Sequence, residues 1–410
     1  MTMALVVQWL AFALCSVAAL YAICAAVAMP RFGSRSSLRA LMSRARQAAL
    51  QPVSVLKPLC GAEPRLYENL ATFCAQAYPD FQLLFGVSSM ADPAIEVVKR
   101  LQAAWPQRDI ELVVDARMHG SNRKVSNLMN LDAHARHDLI VLADSDISVE
   151  PDYLRMVTAP LARPRTGVVT CLYRARSVGG FWPRLGALFI NEWFAPSVRV
   201  AQTIGARKFG FGATLALRRE TLERIGGFAA LKDCLADDYM LAHYVRAQGL
   251  DTVLVPVLVD TDVTEATLRA LWLRETRWLR TIRSVNTVGF ASLCITFSSP
   301  WLALGAALAW WPRLGLAGAT AGAVMGVITL AGIVARGVLH ARGSLGWRAF
   351  WRGLPLVPIR DGLLLLQWCA AAFGSHVVWR DVRMAVSSAD AEAPGPDVLA
   401  SSRHLMDRDR

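Results

Sequence analysis

Lysine is scarce in this 410-residue chain: of its 44 lysine and arginine residues only five are lysine, Lys57, Lys99, Lys124, Lys208 and Lys232. Such a bias points to a GC-rich bacterial genome and makes each lysine either residual or selected. Charge of any kind is missing from three long runs, residues 1–30, 284–312 and 314–335. Each exceeds the roughly 20 residues that cross a bilayer as a helix. A fourth run, 362–379, is shorter and follows the pair Arg360–Asp361. With 54% hydrophobic residues and a mean hydropathy of +0.34, these runs exclude an ordinary soluble protein. The eight cysteines have no CxxC or Cys/His spacing, which excludes a zinc module, and Cys15, Cys24, Cys294 and Cys369 lie in apolar runs. Reduced structural thiols are the expectation. No internal repeat is present.

Residues 1–30 lack the basic n-region of a secretory signal, and their apolar stretch is too long for one, although Ala26-Val27-Ala28 resembles a cleavage site. They read as a membrane anchor. Arg31, Arg35, Arg39, Arg44 and Arg46 follow at once, which by the positive-inside rule puts residue 31 onward in the cytoplasm. The net charge of +12 comes with no basic helix or aromatic RNA-binding motif, so no nucleic-acid partner is expected. The arginines flank apolar runs and face anionic lipid headgroups. The expected organisation is an anchor at 1–30, a basic linker at 31–52, a cytoplasmic α/β domain at 53–283, about three spans within 284–380 and a disordered tail at 381–410. Arg336, Arg342, Arg348 and Arg352 mark a cytoplasmic loop between the last two spans.

Within 53–283 the pattern alternates. Four short apolar runs, "VSVLKPL", "FQLLFGVS", "IELVVD" and "DLIVLADSD", are separated by stretches with apolar residues at helical spacing, "EPRLYENLATFCAQ", "PAIEVVKRLQAAW" and "KVSNLMNLDAHA". Asp92-Pro93 gives the second helix a cap and a first-turn proline. Alternation of this kind implies right-handed βαβ units and a parallel sheet. Open α/β sheets bind ligands beyond the carboxyl ends of their strands. There fall Lys57, Ser88 to Asp92, Asp115, and Asp144 with Asp146, and four polar strand ends in succession mark a site.

Asp144-Ser145-Asp146 sets two hard oxygen ligands at a strand end, suited to Mg2+ or Mn2+ shared with substrate phosphates. A plain strand-terminating turn is the alternative. Asp237 and Asp238 open an amphipathic stretch, where paired carboxylates also serve as dipole partners. In "RETRWLRTIR", Arg274 and Arg277 share a helix face and suit a diphosphate, while Trp278 offers a flat face to a sugar or lipid. A juxtamembrane basic helix with an interfacial tryptophan is the alternative there. Lys124, just before a helix, reaches toward a phosphate. Gly210, Gly212 and Gly226-Gly227 read as turn geometry. His243 reads as lying on a helix face away from Asp238. The stretch 181–194, with Phe181, Trp182, Phe189, Trp193 and Phe194, reads as a membrane-surface helix rather than core.

Taken in order, Asp92, Asp144-Ser145-Asp146, Asp237-Asp238-Tyr239 and Arg274-x-x-Arg277-Trp278 resemble the D, DxD, (E/D)D and (Q/R)xxRW series of processive and lipid-directed family-2-like glycosyltransferases. With "VLKPLCG", the anchor and the C-terminal spans, the arrangement is similar to ceramide glucosyltransferases and their bacterial relatives. "GSNRKVSNLMN" and "HDLIVLADSDI" are similar to the hopanoid biosynthesis glycosyltransferases of that group. The resemblance covers 53–283 and, more loosely, the spans. It implies a GT-A (Rossmann-like nucleotide-diphospho-sugar transferase) α/β fold with transmembrane helices at both ends, and an inverting transfer from a UDP-sugar to a membrane lipid.

The same resemblance implies Asp144 and Asp146 as ligands of Mg2+ or Mn2+ on the donor diphosphate, Asp92 at the uridine and Lys124 beside the nucleotide. Asp238 would be the general base with Asp237 adjacent, Arg277 would stabilise the leaving UDP, and Trp278 would sit beside the acceptor. Arg274 stands where glutamine is commoner. Chemistry agrees, since an inverting displacement needs a carboxylate base and cationic stabilisation of a diphosphate leaving group. The resemblance favours UDP-N-acetylglucosamine and bacteriohopanetetrol, with UDP-glucose and ceramide as the alternative, at a bacterial inner membrane. A transporter or scaffold that merely binds nucleotide would need ionisable residues deep in the spans, where only Arg360, Asp361 and His376 come near. A nucleotidyltransferase also uses paired acids but has no need of Arg277-Trp278.

Overall fold

The computed structural model describes residues 3–47, 49–310, 319–344, 346–374, 376–379 and 382–385. The tail expected from 381 on therefore falls almost wholly outside the described residues. The chain divides into two compact units, one built from Met1–Phe32, Ser177–Gly205 and Val263–Val386, the other, in its described part, from Gly33–Arg176 and Ala206–Asp262.

The second unit is α/β. Its strands are β1 (Val53–Pro58), β2 (Phe81–Val87), β3 (Asp109–Val114), β4 (Leu139–Leu142), β5 (Ile147–Ser148), β6 (Thr166–Ser177), β7 (Leu215–Arg218) and β8 (Asp251–Val263). They form one sheet in the order β3-β2-β1-β4-β7-β6-β8-β5. The first four are the apolar runs read from the sequence, and they pair in parallel, Val53 against both Phe81 and Leu139. Val53, Val55 and Leu56 on β1 and Leu83, Leu84 and Phe85 on β2 are all buried, so both faces of the sheet centre are covered.

The sheet is not parallel throughout, as simple βαβ repetition requires. β7 runs antiparallel to β4 and β6, and β5 antiparallel to β8. A parallel neighbour needs a crossover of a dozen or more residues, usually a helix. Between β5 and β6 the α-helix, Tyr153–Thr158, spans only 6 residues. The stretch 31–52 also carries a helix, Arg35–Gln47, whose Leu38, Leu41 and Met42 pack on the core while Arg35, Arg39, Arg44 and Arg46 stay exposed.

In the first unit, three helices among the described residues are long and apolar enough to cross a membrane: Val6–Arg31, Thr320–Gly343 and Leu356–Phe373. The uncharged run 284–312 is not one straight rod but bends by 50° between Thr287–Thr296 and Ser298–Trp310. Small residues let these helices approach closely. A Cβ on Gly332 would lie 2.5 Å from Leu302 Cδ2 and 3.0 Å from Ala19 Cβ.

A broken apolar helix leaves backbone N–H groups without partners. Here Asp361 answers, accepting from the Ser299 N–H at 3.0 Å and the Ser299 hydroxyl at 2.6 Å. Its charge also suits the positive end of that helix. Arg336 pairs with Asp361 at 3.2 Å and donates to the Glu192 carbonyl at 2.9 Å, while Glu192 pairs with His340. Arg336 is thus no loop residue, as the arginine count suggested: the helix Ala319–Gly343 runs past it and leaves it 6% exposed. The spans hold more ionisable groups than Arg360, Asp361 and His376, and each extra one is paired.

The aromatic stretch is corrected likewise. Phe189–Phe194 is a π-helical turn between the helices Phe181–Leu188 and Ala195–Thr203, with Phe189, Ile190 and Trp193 buried in the unit. It is core. Asp361→Ala would remove the cap and the nearer of Arg336's two carboxylate partners, leaving Glu192 at 3.6 Å, a change expected to cost about 3 kcal/mol. Thermal unfolding of the detergent-solubilised protein measures it, and an unaltered transition would show that the bend does not depend on Asp361.

Candidate active site

The parallel register brings the carboxyl ends of β1, β2 and β4 to one edge, and the α/β unit gathers its charged side chains there. Lys57, wholly buried at the end of β1, donates from Nζ to the Asp144 carbonyl at 2.8 Å and lies 3.6 Å over the Phe73 ring. Burial pulls its ammonium down to about 7, against the opposing pull of Asp146, Asp144 and Glu63. Asp146 accepts from Thr261 Oγ1 on β8 at 2.7 Å. Burial, and then the nearby Asp144 and Glu63 carboxylates, push it up to about 7.

Lys124, near the start of the helix Arg123–Asp132, reaches Asp144 Oδ1 at 2.8 Å and Asp237 Oδ2 at 3.4 Å. Its burial would lower its pKa, but Asp144, Asp237 and Asp238 more than offset that and raise it. Asp237 and Asp238 open the helix Asp237–Ala247. Asp238 accepts from the Gly212 N–H at Oδ2 and from the Tyr239 N–H at Oδ1, both at 2.8 Å. Burial, and then Asp237, push Asp238 up to about 6, with Lys124 pulling the other way. Asp144, Lys124, Asp237 and Asp238 therefore form one constellation, as the motif order implied.

Three residues of this cluster, Gly210, Gly212 and Asn122, do more than their local sequence pattern assigns them. A Cβ on Gly212 would lie 3.0 Å from Asp144 Oδ2, 3.1 Å from Lys124 Nζ and 3.5 Å from Asp238 Oδ2. A Cβ on Gly210 would lie 2.6 Å from the Asp238 carbonyl oxygen. These glycines serve close approach, beyond the turn geometry read from them. Asn122 caps the Lys124 helix, accepting from the Val125 N–H at 3.1 Å, and its amide donates to the Cys234 carbonyl at 2.8 Å and Asp237 Oδ1 at 3.3 Å. It ties the lysine helix to the acidic one. The only sequence signal was an asparagine before a helical run.

Other expected residues sit differently. The Asp92 carboxylate accepts from the Gly61 N–H at 3.0 and 3.1 Å and from the Ala94 N–H at 2.9 Å, clamping the loop after β1 to the loop after β2. Asp115 turns to Arg117, 2.6 Å away. His243 stacks on Tyr239, ring centres 6.2 Å apart. Arg274, Arg277 and Trp278 belong to the helix Leu268–Val285 of the other unit. The Arg274 guanidinium, 13% exposed, is already engaged by Glu265 at 2.5 Å and Glu275 at 3.4 Å. Trp278 packs edge-on against Phe189, ring centres 5.3 Å apart.

Among the described residues no three His, Cys, Asp or Glu side chains converge on one point. A cavity of about 610 Å3, lined by Gln51, Tyr78, Leu139, Thr158 and Arg218 among others, lies at the opposite ends of β1 and β4 and contains none of these carboxylates.

Comparison with known proteins follows the motifs. A sequence model described as Glycosyl transferase family 21 matches residues 10–391. Ceramide glucosyltransferase 1 of Caenorhabditis elegans is 28% identical over 232 residues, covering 56% of this chain and 50% of that protein. The ceramide glucosyltransferase of Pyricularia oryzae is 33% identical over 112 residues, covering 24% of this chain and 23% of the relative. The chain thus spans about half the length, or less, of the curated relatives it matches. Among solved structures, the mannosyltransferase PcManGT from Pyrobaculum calidifontis, in complex with GDP-Man and Mn2+, is 19% identical with a TM-score of 0.49, covering 86% of this chain and 97% of that one.

Proposed function

The chain belongs to glycosyl transferase family 21, and from that premise we propose that it moves a sugar from a nucleoside diphospho-sugar onto a hydroxyl of a membrane lipid, with inversion. The observation that carries this reading is the cluster of Asp144, Lys124, Asp237 and Asp238 around Gly212, at the strand ends where α/β sheets bind nucleotides.

The donor set fits a divalent cation. Asp144 and Asp146 offer hard oxygens, and Asp146, raised by burial and then by the nearby Asp144 and Glu63 carboxylates, sits in an environment a cation relieves. Two protein carboxylates leave coordination positions for phosphate oxygens and water, the habit of Mg2+ and Mn2+. A bound ion would neutralise the donor diphosphate. The chain's own residues do the rest. Lys124 stays cationic and lies against the phosphates. Asp92 and Gly61 shape the nucleoside end. Asp238 takes the proton of the lipid hydroxyl as its oxygen attacks the anomeric carbon, and the bond to the diphosphate oxygen breaks on the opposite face. By the motif resemblance Arg277 stabilises the departing nucleoside diphosphate and Trp278 borders the acceptor.

The donor in this reading is a UDP-sugar and the acceptor an amphiphile with a primary hydroxyl at the headgroup plane. The named relatives act as ceramide glucosyltransferases, which moves UDP-glucose and ceramide ahead of UDP-N-acetylglucosamine and bacteriohopanetetrol. The protein would sit in a bacterial inner membrane with its α/β unit in the cytoplasm, where nucleotide sugars are. Membranes containing the protein, incubated with each labelled UDP-sugar and each lipid, should yield one labelled glycolipid identifiable by mass. Glycosylated hopanoid as the sole product would restore the hopanoid pair. Hydrolysis of the donor with no lipid product from any pairing would overturn the lipid-directed reading.

A further inference from the structure

The helix that carries Arg277 and Trp278 is anchored through a carboxylate that the transfer chemistry does not use. Glu275 is 0% exposed. Its Oε2 accepts from Arg360 Nη2 at 2.8 Å and from Gln367 Nε2 at 2.9 Å, and its Oε1 accepts from Arg274 Nη2 at 3.4 Å. Arg360, 1% exposed, also donates to Gln367 Oε1 at 2.6 Å, so Glu275, Arg360 and Gln367 close a ring of three. Arg360 and Gln367 lie 7 positions apart, two turns along one face of the helix Leu356–Phe373. The Arg360 guanidinium stands 5.7 Å from the centre of the Phe189 ring, the same ring that packs on Trp278.

Stability alone does not account for this arrangement. Two charges taken out of water are rarely more stabilising than an apolar pair of the same volume, and Leu271 and Leu279, one turn either side of Glu275, already bury the helix. An apolar seam, however, tolerates small rotations and slides of one helix on another. A carboxylate gripped by a guanidinium and an amide does not, because the hydrogen bonds are directional. Trp278 lies three residues along from Glu275 and Arg277 two, so any rotation at Glu275 is transmitted to both.

We propose that Glu275 is a positioning residue: through Arg360 and Gln367 it fixes the rotation of the Leu268–Val285 helix and so sets where Arg277 and Trp278 point. The proposal rests on the reading that those two residues serve the transfer step. Its effect therefore falls on turnover and on affinity for the leaving nucleoside diphosphate, not on capture of the intact donor, which belongs to Asp144, Lys124 and Asp92.

The test uses the full-length protein in detergent or nanodiscs, with E275L/R360L, which removes both charges and leaves the buried Gln367 amide without these two partners, beside R277A. Expected for E275L/R360L is a cooperative thermal transition lowered by the unpaired Gln367 amide, an unchanged donor KM, a kcat lowered roughly ten- to a hundredfold and a UDP inhibition constant raised in parallel, the scale of losses from misplaced catalytic groups. A folded double variant with unaltered kcat and UDP inhibition, while R277A is impaired, overturns the positioning role. An unimpaired R277A instead removes the underlying assignment of Arg277, and the proposal with it. E275Q keeps the volume and one acceptor, and it decides the matter should the double variant fail to fold: the same kcat and UDP shifts at a preserved transition support the role, and unaltered kinetics refute it.

Discussion

Replacing Asp238 with asparagine is expected to lower turnover about 10²–10⁴-fold while leaving donor affinity nearly intact, the usual contribution of a general base. The amide keeps the shape of the carboxylate and accepts one of the Gly212 and Tyr239 N–H groups, while its NH2 faces the other, so a small loss of stability accompanies the loss of the base. What is lost is a group able to take a proton. The pH dependence has a definite sign. Burial raises Asp238 to about 6, and only the ionised form is a base, so kcat falls as pH drops through about 6 and levels off above it. Asp237 gives a contrast, because its carboxylate is held by Lys124 and Asn122. A dead Asp237→Asn beside an active Asp238→Asn, or a flat profile between pH 5 and 7, would transfer the role to Asp237.

Chelation is the second large effect. Excess EDTA is expected to abolish transfer, with recovery on adding Mg2+ or Mn2+. Asp144, Asp146 and Glu63 gather at one strand end beside the proposed diphosphate position, and the neighbouring Lys57 is committed to a backbone carbonyl. Without a cation the diphosphate would meet those carboxylates directly. A metal ion stabilises several kcal/mol of transition-state charge, which corresponds to a loss of roughly three orders of magnitude or more. Asp146→Asn should raise the concentration of Mn2+ needed for half-maximal activity and leave the fold intact, as followed by thermal unfolding. Full activity in EDTA would remove the metal from the reaction.

The sequence disclosed the parallel half of the sheet because β1 to β4 are uninterrupted apolar runs separated by helix-period stretches. It disclosed Asp144, Asp237 and Asp238 because a strand end and a helix start are places where local pattern and chemistry coincide. The antiparallel half was harder: β5 has two residues, and β7 has four, entered from an irregular loop. Gly212 reads as turn geometry for a different reason, since its closer role is set by three side chains drawn from elsewhere in the chain. Arg336 was misjudged because hydropathy weighs each residue alone. Glu192 and His340 stand 148 positions apart and become harmless only as a pair.

Lys57 has a consequence for how this sequence can change over time. Mutational pressure that rewrites lysine codons as arginine meets no resistance at Lys99, Lys208 or Lys232, which are exposed. At Lys57 it meets the Phe73 ring 3.6 Å below the ammonium and the Asp144 carbonyl 2.8 Å beyond it. A planar guanidinium is broader than an ammonium and would have to displace one or the other. At Lys124 the bounds are the Asp144 and Asp237 carboxylates, 2.8 and 3.4 Å from Nζ. These two codons are therefore arrested by shape, whatever the base composition of the genome.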